Sequence, residues 1–265
     1  MHYVDEGRGP PILMVHGNPT WSFLYRHLIR RLAPNHRCVA PDHIGFGLSD
    51  KPVGWSYRPE EHARNLARFI EALELARFTI VVQDWGGPTG LSYALEHPER
   101  VAGLVILNTW MWPVDDDTYY RAFSGFVGGP VGRFLIRRFN FFVRVVMPEA
   151  YGDRRLLTKA IHEHYLTPLG TPVERTGSAV FPREIVGSTP WLRKLWQRRE
   201  ALQGKRALIA WGMKDIAFRE KELQTWIEAL PGAEVLRLES AGHYVQEEAP
   251  EELGEAIASL IDGSA

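Results

Sequence analysis

Short apolar runs that alternate with helical segments constrain the fold of this sequence more than any other feature. Six runs hold only a few β-branched or aliphatic residues and are bounded by Gly, Pro, Asp or Asn, as buried parallel strands are. They are "PILMVHG", "HRCVAPD", "FTIVVQD", "VAGLVILN", "KRALIAWG" and "AEVLRLE". Between the second and third runs, apolar residues recur at helical spacing on a segment that Pro59 could begin. The pattern predicts an α/β fold with a mostly parallel, doubly wound sheet, right-handed crossovers and helices on both faces.

The alternation is interrupted once, between Pro113 and about Pro190. This segment contains no strand-like run, but it has many aromatic residues, several Pro and Gly residues and the basic, apolar stretch "RFLIRRFNFFVRVVM". We therefore predict a helical cap at residues 113–190, inserted into a core made of residues 1–112 and 191–265. Six aromatic residues in or near the segment are candidates to line an apolar tunnel: Trp110, Trp112, Phe126, Phe134, Phe141 and Trp191.

Charge and composition exclude several classes of partner. The formal net charge of the 265 residues is −1, which gives no electrostatic basis for binding nucleic acid or an anionic membrane. The single cysteine, Cys38, excludes an intramolecular disulfide and is predicted to pack in the core. No signal peptide is visible, and no segment approaches the roughly 18 apolar residues of a membrane span. These features predict a cytoplasmic protein with no nucleic-acid or membrane partner.

The stretch "IVVQDWGGPTG" places a carboxylate where a strand turns into a helix. Its spacing matches a nucleophile elbow, with Asp84 at the position of the usual serine and Gln83 at that of the first glycine. The small residues Gly86 and Gly87 are what such a tight turn requires. An aspartate there is already ionised and can attack carbon directly, leaving an ester. The alternative is that Asp84 only caps the following helix.

Two further residues complete a triad in chain order. Asp215 lies in "WGMKD", directly after the fifth apolar run, and His243 lies in "SAGHYVQEEAP", after the sixth. Nucleophile, acid and histidine in this order are typical of α/β-hydrolases. His243 would take a proton from water, while Asp215 would fix its tautomer and stabilise the imidazolium. Taken singly, each could be an ordinary loop residue.

Motifs spread over nearly the whole chain resemble those of the haloalkane dehalogenases of the α/β-hydrolase superfamily. They are "HGNPTWSFLYR", "PDHIGFGLSDKP", "QDWGGPTGL", "FPREI", "WGMKD" and "GHYVQEEAPEE". The resemblance implies an α/β-hydrolase fold with a cap, and a reaction that converts a small apolar halogenated substrate to an alcohol, a halide ion and a proton. It implies that Asn18 and Trp85 bind the halide and that no cofactor or metal is needed. An aspartate acid with an Asn and Trp halide pair resembles one subgroup of the family.

The sequence departs from the family pattern in two places. Members usually have a further strand ahead of "HYVDEG", so we expect a sheet without that edge strand, or a chain that begins late. Either would reduce stability. Some members carry a glutamate acid just after "VAGLVILN", where this chain has Asn108, Thr109 and Trp110, so Asp215 is the candidate acid.

Three other functions are alternatives to haloalkane dehalogenation. An epoxide hydrolase would share Asp84, Asp215 and His243 and would need cap tyrosines as proton donors, for which Tyr119, Tyr120, Tyr151 and Tyr165 are available. A fluoroacetate-type dehalogenase would need an arginine just after the nucleophile, where this chain has Trp85. A ligand-binding receptor on this fold would normally have lost part of the triad. Substrate length, halogen preference, stereochemistry and oligomeric state are left open by the sequence.

Overall fold

A seven-stranded sheet forms the centre of the protein in the computed structural model, which describes residues 1–263. The strands are β1 (Tyr3–Glu6), β2 (Pro11–Val15), β3 (Arg37–Pro41), β4 (Phe78–Gln83), β5 (Val101–Leu107), β6 (Arg206–Gly212) and β7 (Glu234–Leu238). The six predicted strands are confirmed as β2 to β7, and all pairings among them are parallel. β1 was not predicted, because its sequence "YVDE" is short and mostly exposed. It pairs antiparallel with β3 at one edge of the sheet.

Helices cover both faces of the sheet. They are α1 (Arg26–Leu32), α2 (Pro59–Ala72), α3 (Gly86–Glu96), α4 (Thr118–Val127), α5 (Pro130–Phe139), α6 (Met147–Ala150), α7 (Lys159–Leu166), α8 (Thr176–Gly187), α9 (Thr189–Gln197), α10 (Glu220–Ala229), α11 (Val245–Glu248) and α12 (Pro250–Asp262). As predicted, α2 begins at Pro59. Proline has no N–H group, and an N–H group in the first turn of a helix would have no partner within the helix. Across residues 1–263, every helix is too short or too polar to span a lipid bilayer.

Side chains of the parallel strands alternate between two apolar clusters. On β2, Leu13 and Val15 belong to a cluster that also contains buried residues of α2, α3, α9 and α10. Ile12 and Met14 point the other way, into a cluster with buried residues of α1 and α12. Cys38 is a free, fully buried thiol in this second cluster, as predicted. Each fully buried aliphatic side chain contributes about 1.5–3 kcal/mol relative to exposure, so the two clusters hold their helices against opposite faces of the sheet.

The segment between β5 and β6 is helical, with α4 to α9 and a π-helical turn at Phe142–Val146. Most of the predicted tunnel aromatics are not in the cavity described below. Trp110 does line it, but Phe126 and Phe134 are each 60% exposed. Trp112 packs instead against Trp196 and Trp226. Aromatic content predicts a cap over this segment, but it does not determine which face of each helix points inwards.

The strand order β1-β3-β2-β4-β5-β6-β7 places a topological switch point between β2 and β4. Successive strands are added on opposite sides of this point, so the loops that follow β2 and β4 leave in different directions and open a crevice at the carboxyl ends. Asn18 lies in the loop after β2, and Asp84 follows β4 directly. The loops after β5, β6 and β7 carry Asn108, Asp215 and His243 along the same edge.

Candidate active site

The turn after β4 holds Asp84 in a strained backbone conformation. Its φ is +51°, a left-handed value that non-glycine residues rarely adopt. Its carbonyl oxygen accepts hydrogen bonds from the N–H of Gly87 and the hydroxyl of Thr109. A Cβ atom at Gly86 would lie 2.0 Å from the carbonyl oxygen of Val15, so α3 can start this close to β2 only with glycine there. The geometry is that of a nucleophile elbow.

The Asp84 carboxylate does not cap α3. No side-chain cap hydrogen bond is present at the start of that helix. Oδ1 instead accepts a 2.8 Å hydrogen bond from the main-chain N–H of Asn18 in the loop after β2. Burial raises the pKa of Asp84, while His243 and the main-chain N–H groups of Asn18 and Trp85 act in the opposite direction. Oδ2 is left facing His243 and the cavity.

His243 lies between two carboxylates. Its Nδ1 is 2.8 Å from Oδ2 of Asp215, and its Nε2 is 3.8 Å from Oδ2 of Asp84. The first distance is a hydrogen bond, whereas the second is too long for one and leaves Oδ2 of Asp84 without a proton donor. Burial alone would lower the pKa of His243, but Asp215 and then Asp84 outweigh it and raise the pKa above its ordinary value. The structure thus brings Asp84, His243 and Asp215 together in one site.

Asn108 holds Asp215 in place, and sequence reasoning did not assign it this contact. Its side-chain Nδ2 donates to Oδ2 of Asp215 at 2.9 Å, and its Oδ1 accepts from the main-chain N–H of Gly212 at 2.8 Å. The other oxygen of Asp215 accepts from the N–H of Ala217 at 2.6 Å. The amide at the end of β5 therefore connects the acid to the neighbouring strand. The only signal in the sequence was its position, where some family members carry the acid itself.

Gln83 is a second residue whose contact the sequence did not reveal. It is the last residue of β4, fully buried, and its side-chain Nε2 lies 2.8 Å from Nε2 of His243. The same amide nitrogen is 3.2 Å from the carbonyl oxygen of His243. Gln83 stands where the nucleophile-elbow motif has its first glycine, but nothing in the local sequence indicates that its side chain contacts a residue 160 positions further along the chain.

Asn18 and Trp85 line the same mainly apolar cavity as Asp84 and His243. Asn18 is 5% exposed and Trp85 is 2% exposed. Among the described residues, the side-chain amide of Asn18 and the indole N–H of Trp85 have no hydrogen-bond partner, and Trp85 packs edge-on against Trp110 at 4.5 Å. The wall is completed by residues from the cap and from the loops after β6 and β7: Tyr119, Tyr120, Phe123, Phe142, Val146, Ala150, Pro182, Ile185, Ile216, Ala217, Phe218 and Tyr244.

The four tyrosines considered as proton donors are not free in this cavity. Tyr119 and Tyr120 line it, but their hydroxyl groups donate to the carbonyl oxygens of Ile216 and Ala217, at 2.7 and 2.9 Å. The hydroxyl of Tyr165 donates to Glu247. Tyr151 is not among the lining residues.

Nothing among residues 1–263 resembles a metal site, since no group of three or more His, Cys, Asp or Glu side chains is arranged to hold an ion.

Comparisons with known proteins agree with this geometry. The family model for the alpha/beta hydrolase fold matches residues 10–250. The chain is 43% identical to haloalkane dehalogenase 2 of Mycobacterium tuberculosis, over 97% of this chain and 90% of that protein. It is 34% identical to a cis-3-alkyl-4-alkyloxetan-2-one decarboxylase of Shewanella oneidensis, over 96% and 82%. Among solved structures, the haloalkane dehalogenase DatA of Agrobacterium tumefaciens superposes with a TM-score of 0.88 at 28% identity, over 100% and 93% of the two chains. The chain therefore belongs to the α/β-hydrolase family and, within it, to the haloalkane dehalogenases.

Proposed function

We propose that the protein hydrolyses haloalkanes to an alcohol, a halide ion and a proton through an alkyl ester on Asp84. The observation that carries this proposal is the state of the Asp84 carboxylate. One oxygen is bound by a main-chain N–H, and the other is free and faces an apolar cavity. An ionised carboxylate in that position is a nucleophile for sp³ carbon and needs no proton removed first.

In the first half-reaction, Oδ2 of Asp84 attacks the halogenated carbon from the side opposite the halogen. The C–O bond forms while the carbon–halogen bond breaks, and the electron pair leaves with the halide. Oδ1 becomes the ester carbonyl oxygen and keeps its hydrogen bond to the N–H of Asn18. The attack requires His243 to be neutral at Nε2, because a proton there would place a positive charge 3.8 Å from the attacking oxygen and weaken it as a nucleophile.

The departing halide is received by the side chains of Asn18 and Trp85. Both lie at the cavity wall beside Asp84, and both N–H groups lack a partner among the described residues. Neutral donors suit this task, because they stabilise charge that develops as the bond breaks without holding the product ion as a full positive charge would.

In the second half-reaction, Nε2 of His243 takes a proton from water, and the resulting hydroxide attacks the ester carbonyl of Asp84. The 3.8 Å between Nε2 and the carboxylate leaves no direct hydrogen bond that the water would have to break. The oxyanion on Oδ1 is stabilised by the main-chain N–H groups of Asn18 and Trp85. The bond between Cγ and Oδ2 of Asp84 then breaks, Oδ2 leaves with the alkyl group and takes the proton of the added hydroxyl to give the alcohol, and the oxygen from water completes the restored carboxylate. Asp215 stabilises the imidazolium until its extra proton passes to solvent.

Residues 113–190 would serve as the cap over this site. Their contribution to the cavity wall is mostly aromatic or aliphatic, as with Phe123, Phe142, Val146, Pro182 and Ile185. Such a wall favours an apolar substrate and keeps bulk water away from the carboxylate during the first half-reaction.

Epoxide hydrolysis is disfavoured by the tyrosines. An epoxide oxygen needs a proton donor as the ring opens, and the hydroxyls of Tyr119 and Tyr120 already donate to main-chain carbonyls. The side-chain amide of Asn18 would also have no role in that reaction.

Trapping the ester tests the proposal directly. His243→Phe removes the base and leaves the nucleophile, so incubation with 1-bromobutane should release one bromide per protein and add one butyl group to the peptide that contains Asp84. Asp84→Asn is the matched control and should release no bromide and gain no mass. A folded His243→Phe protein that stays unmodified would contradict the scheme.

A substrate panel separates the rival reactions. For the unaltered protein we expect bromide or chloride and acid from 1-bromobutane, 1,2-dibromoethane and 1-chlorohexane. Diol from styrene oxide, or alkene and carbon dioxide from a cis-3,4-dialkyl oxetan-2-one, with no halide from the first three, would instead assign another reaction to the same residues.

A further inference from the structure

The contact between Gln83 and His243 has a specific chemical requirement. Gln83 presents one amide nitrogen to two atoms of His243, the ring Nε2 at 2.8 Å and the carbonyl oxygen at 3.2 Å. The carbonyl oxygen can only accept a hydrogen bond, so the NH₂ side of the amide must face His243. That NH₂ group then also points at Nε2. The contact is favourable only if Nε2 carries a lone pair and no proton.

The other ring nitrogen agrees with this assignment. Nδ1 lies 2.8 Å from Oδ2 of Asp215, an acceptor, and must therefore carry the proton. His243 is held as the neutral tautomer by Asp215 on one side and Gln83 on the other. Both partners are fully or almost fully buried, so water does not compete for these bonds.

We infer that Gln83 is a positioning residue that keeps Nε2 of His243 unprotonated in the resting enzyme and favours its return to that state after the hydrolytic water has given up its proton. The inference rests on the proposed function, because it assigns Gln83 a part in both half-reactions. In the first, a proton on Nε2 would place a positive charge 3.8 Å from Oδ2 of Asp84 and would weaken the nucleophile. Gln83 offers Nε2 an amide N–H instead, which cannot be transferred.

In the second half-reaction, Nε2 of His243 becomes protonated, and its contact with the side-chain amide of Gln83 changes. Once Nε2 has taken a proton, the NH₂ group of Gln83 faces another donor and the contact becomes repulsive. Oε1 of Gln83 is buried and has no hydrogen-bond partner among residues 1–263. Rotation of the amide would bring this oxygen to Nε2–H but would also set it against the carbonyl oxygen of His243, which lies 3.2 Å from the same amide position. The contact with Gln83 therefore disfavours the imidazolium and favours the return of Nε2 to its unprotonated state.

The pH dependence of ester hydrolysis tests this role. The step needs neutral His243, so its rate falls on an acid limb. Gln83→Met keeps the side-chain length but removes the donor that favours the neutral form, and should move the limb to higher pH by about half to one unit. Gln83→Glu places a carboxylate beside Nε2 and should move it further in the same direction. Rapid-quench measurements with 1-bromobutane follow bromide release and ester decay separately, and the bromide burst shows that each variant retains a working nucleophile.

Gln246→Met is the matched control. Gln246 is also a fully buried glutamine, in α11 and three residues after His243, and it makes no hydrogen bond to His243. This substitution should leave the acid limb where it is in the unaltered protein. A limb that does not move in Gln83→Met and Gln83→Glu, or that moves equally in Gln246→Met, would overturn the inference.

A measurement on the unaltered protein keeps the inference testable even if the variants do not fold. Two-bond ¹H–¹⁵N spectra of histidine-labelled protein, with His243 assigned from the His243→Phe spectrum, report which ring nitrogen is protonated. We expect an unprotonated Nε2 and a protonated Nδ1 at neutral pH, and a proton on Nε2 would refute the assignment. Absence of halide release would refute the proposed function instead, and the spectrum would still decide the state of His243.

Discussion

At the scale of single residues, the proposed halide cradle consists of two neutral N–H donors, and each can be removed alone. Trp85→Phe keeps a ring in the site but deletes the indole N–H, and Asn18→Ala deletes the amide. Loss of one donor to developing charge typically costs about 3 kcal/mol, or roughly 10² to 10³ in rate. We expect that loss in the kcat for bromide release from 1-bromobutane, measured with a bromide electrode.

Trp112→Phe is a suitable control for Trp85→Phe. Trp112 packs against Trp196 and Trp226 and is not among the residues that line the cavity. This variant should lose some stability but retain kcat. Similar losses of kcat in Trp85→Phe and Trp112→Phe would argue against a specific role for the Trp85 indole.

Residues that follow a strand end could be predicted from the sequence, and those that support them could not. Asp84 directly follows a strand pattern, and Asp215 and His243 lie in the loops after two later strand patterns, so their nearness follows from the parallel sheet. Gln83 and Asn108 are themselves strand-end residues with no distinctive neighbours. Their partners are 160 and 107 residues away in the chain. Such contacts depend on side-chain direction across the sheet, which sequence spacing does not determine.

At the scale of secondary-structure elements, the start of α3 can be perturbed without touching a proposed catalytic group. In Gly86→Ala the added Cβ would lie 2.0 Å from the carbonyl oxygen of Val15, which is main chain of the central strand β2 and cannot rotate away. We expect the free energy of unfolding to fall by about 3 kcal/mol or more, since overpacking against fixed backbone forces β2 and α3 apart. Urea unfolding followed by circular dichroism measures this.

Gly125→Ala provides the opposite case on α4. Gly125 is exposed in a helix, and a Cβ there meets no atom within 4 Å. Alanine should therefore raise the free energy of unfolding by about 0.5–1 kcal/mol, because it restricts the unfolded chain without a clash. If both alanine variants were equally stable, the close approach of α3 to β2 could not be what requires glycine at position 86.

Elements with a strong apolar period were predictable, and elements defined by their surroundings were not. β2 to β6 are largely buried and carry near-continuous apolar runs, and β7, although mostly exposed at the other edge of the sheet, keeps the apolar residues of "EVLRL", so each could be recognised. β1 is a short edge strand whose pairing with β3 shows no such run. Within the cap, the exposure of Phe126 and Phe134 on α4 and α5 depends on how these helices pack on each other. The limits of the cap at residues 113 and 190 stay a prediction.

At the scale of the whole molecule, a row of three buried imidazoles links the loop after β2 to α2. The rings of His16 and His43 are 4.5 Å apart, and those of His43 and His62 are 5.1 Å apart. All three residues are at most 1% exposed. Burial lowers the pKa of each below its ordinary value, to about 3 for His16. His16 is two residues before Asn18, so the fold beside the proposed active site depends on these rings being neutral.

This dependence predicts how stability changes with pH. A histidine whose pKa is lowered by folding takes up a proton more readily when unfolded. It therefore leaves stability unchanged above the unfolded pKa of about 6.5 and reduces stability as the pH falls below it, by about 1.4 kcal/mol per unit for each ring. His243, whose pKa folding raises, acts in a different pH range: it adds stability below the unfolded pKa of about 6.5, and that contribution is lost as the pH rises through its raised folded-state pKa.

We expect the free energy of unfolding to be highest near about pH 6.5, to fall steeply below it, and to decline more gently above it, where His243 loses its proton. His62→Phe removes one of the three groups and keeps a ring that packs against Trp55 and Phe181, at 4.7 and 5.1 Å. The slope on the acid side should then decrease by about 1.4 kcal/mol per pH unit. His97→Gln changes a histidine whose side chain is 43% exposed and should leave the slope unaltered. Urea unfolding at several pH values measures the slopes, and equal slopes for the unaltered protein and His62→Phe would mean that acid unfolding begins elsewhere in the molecule.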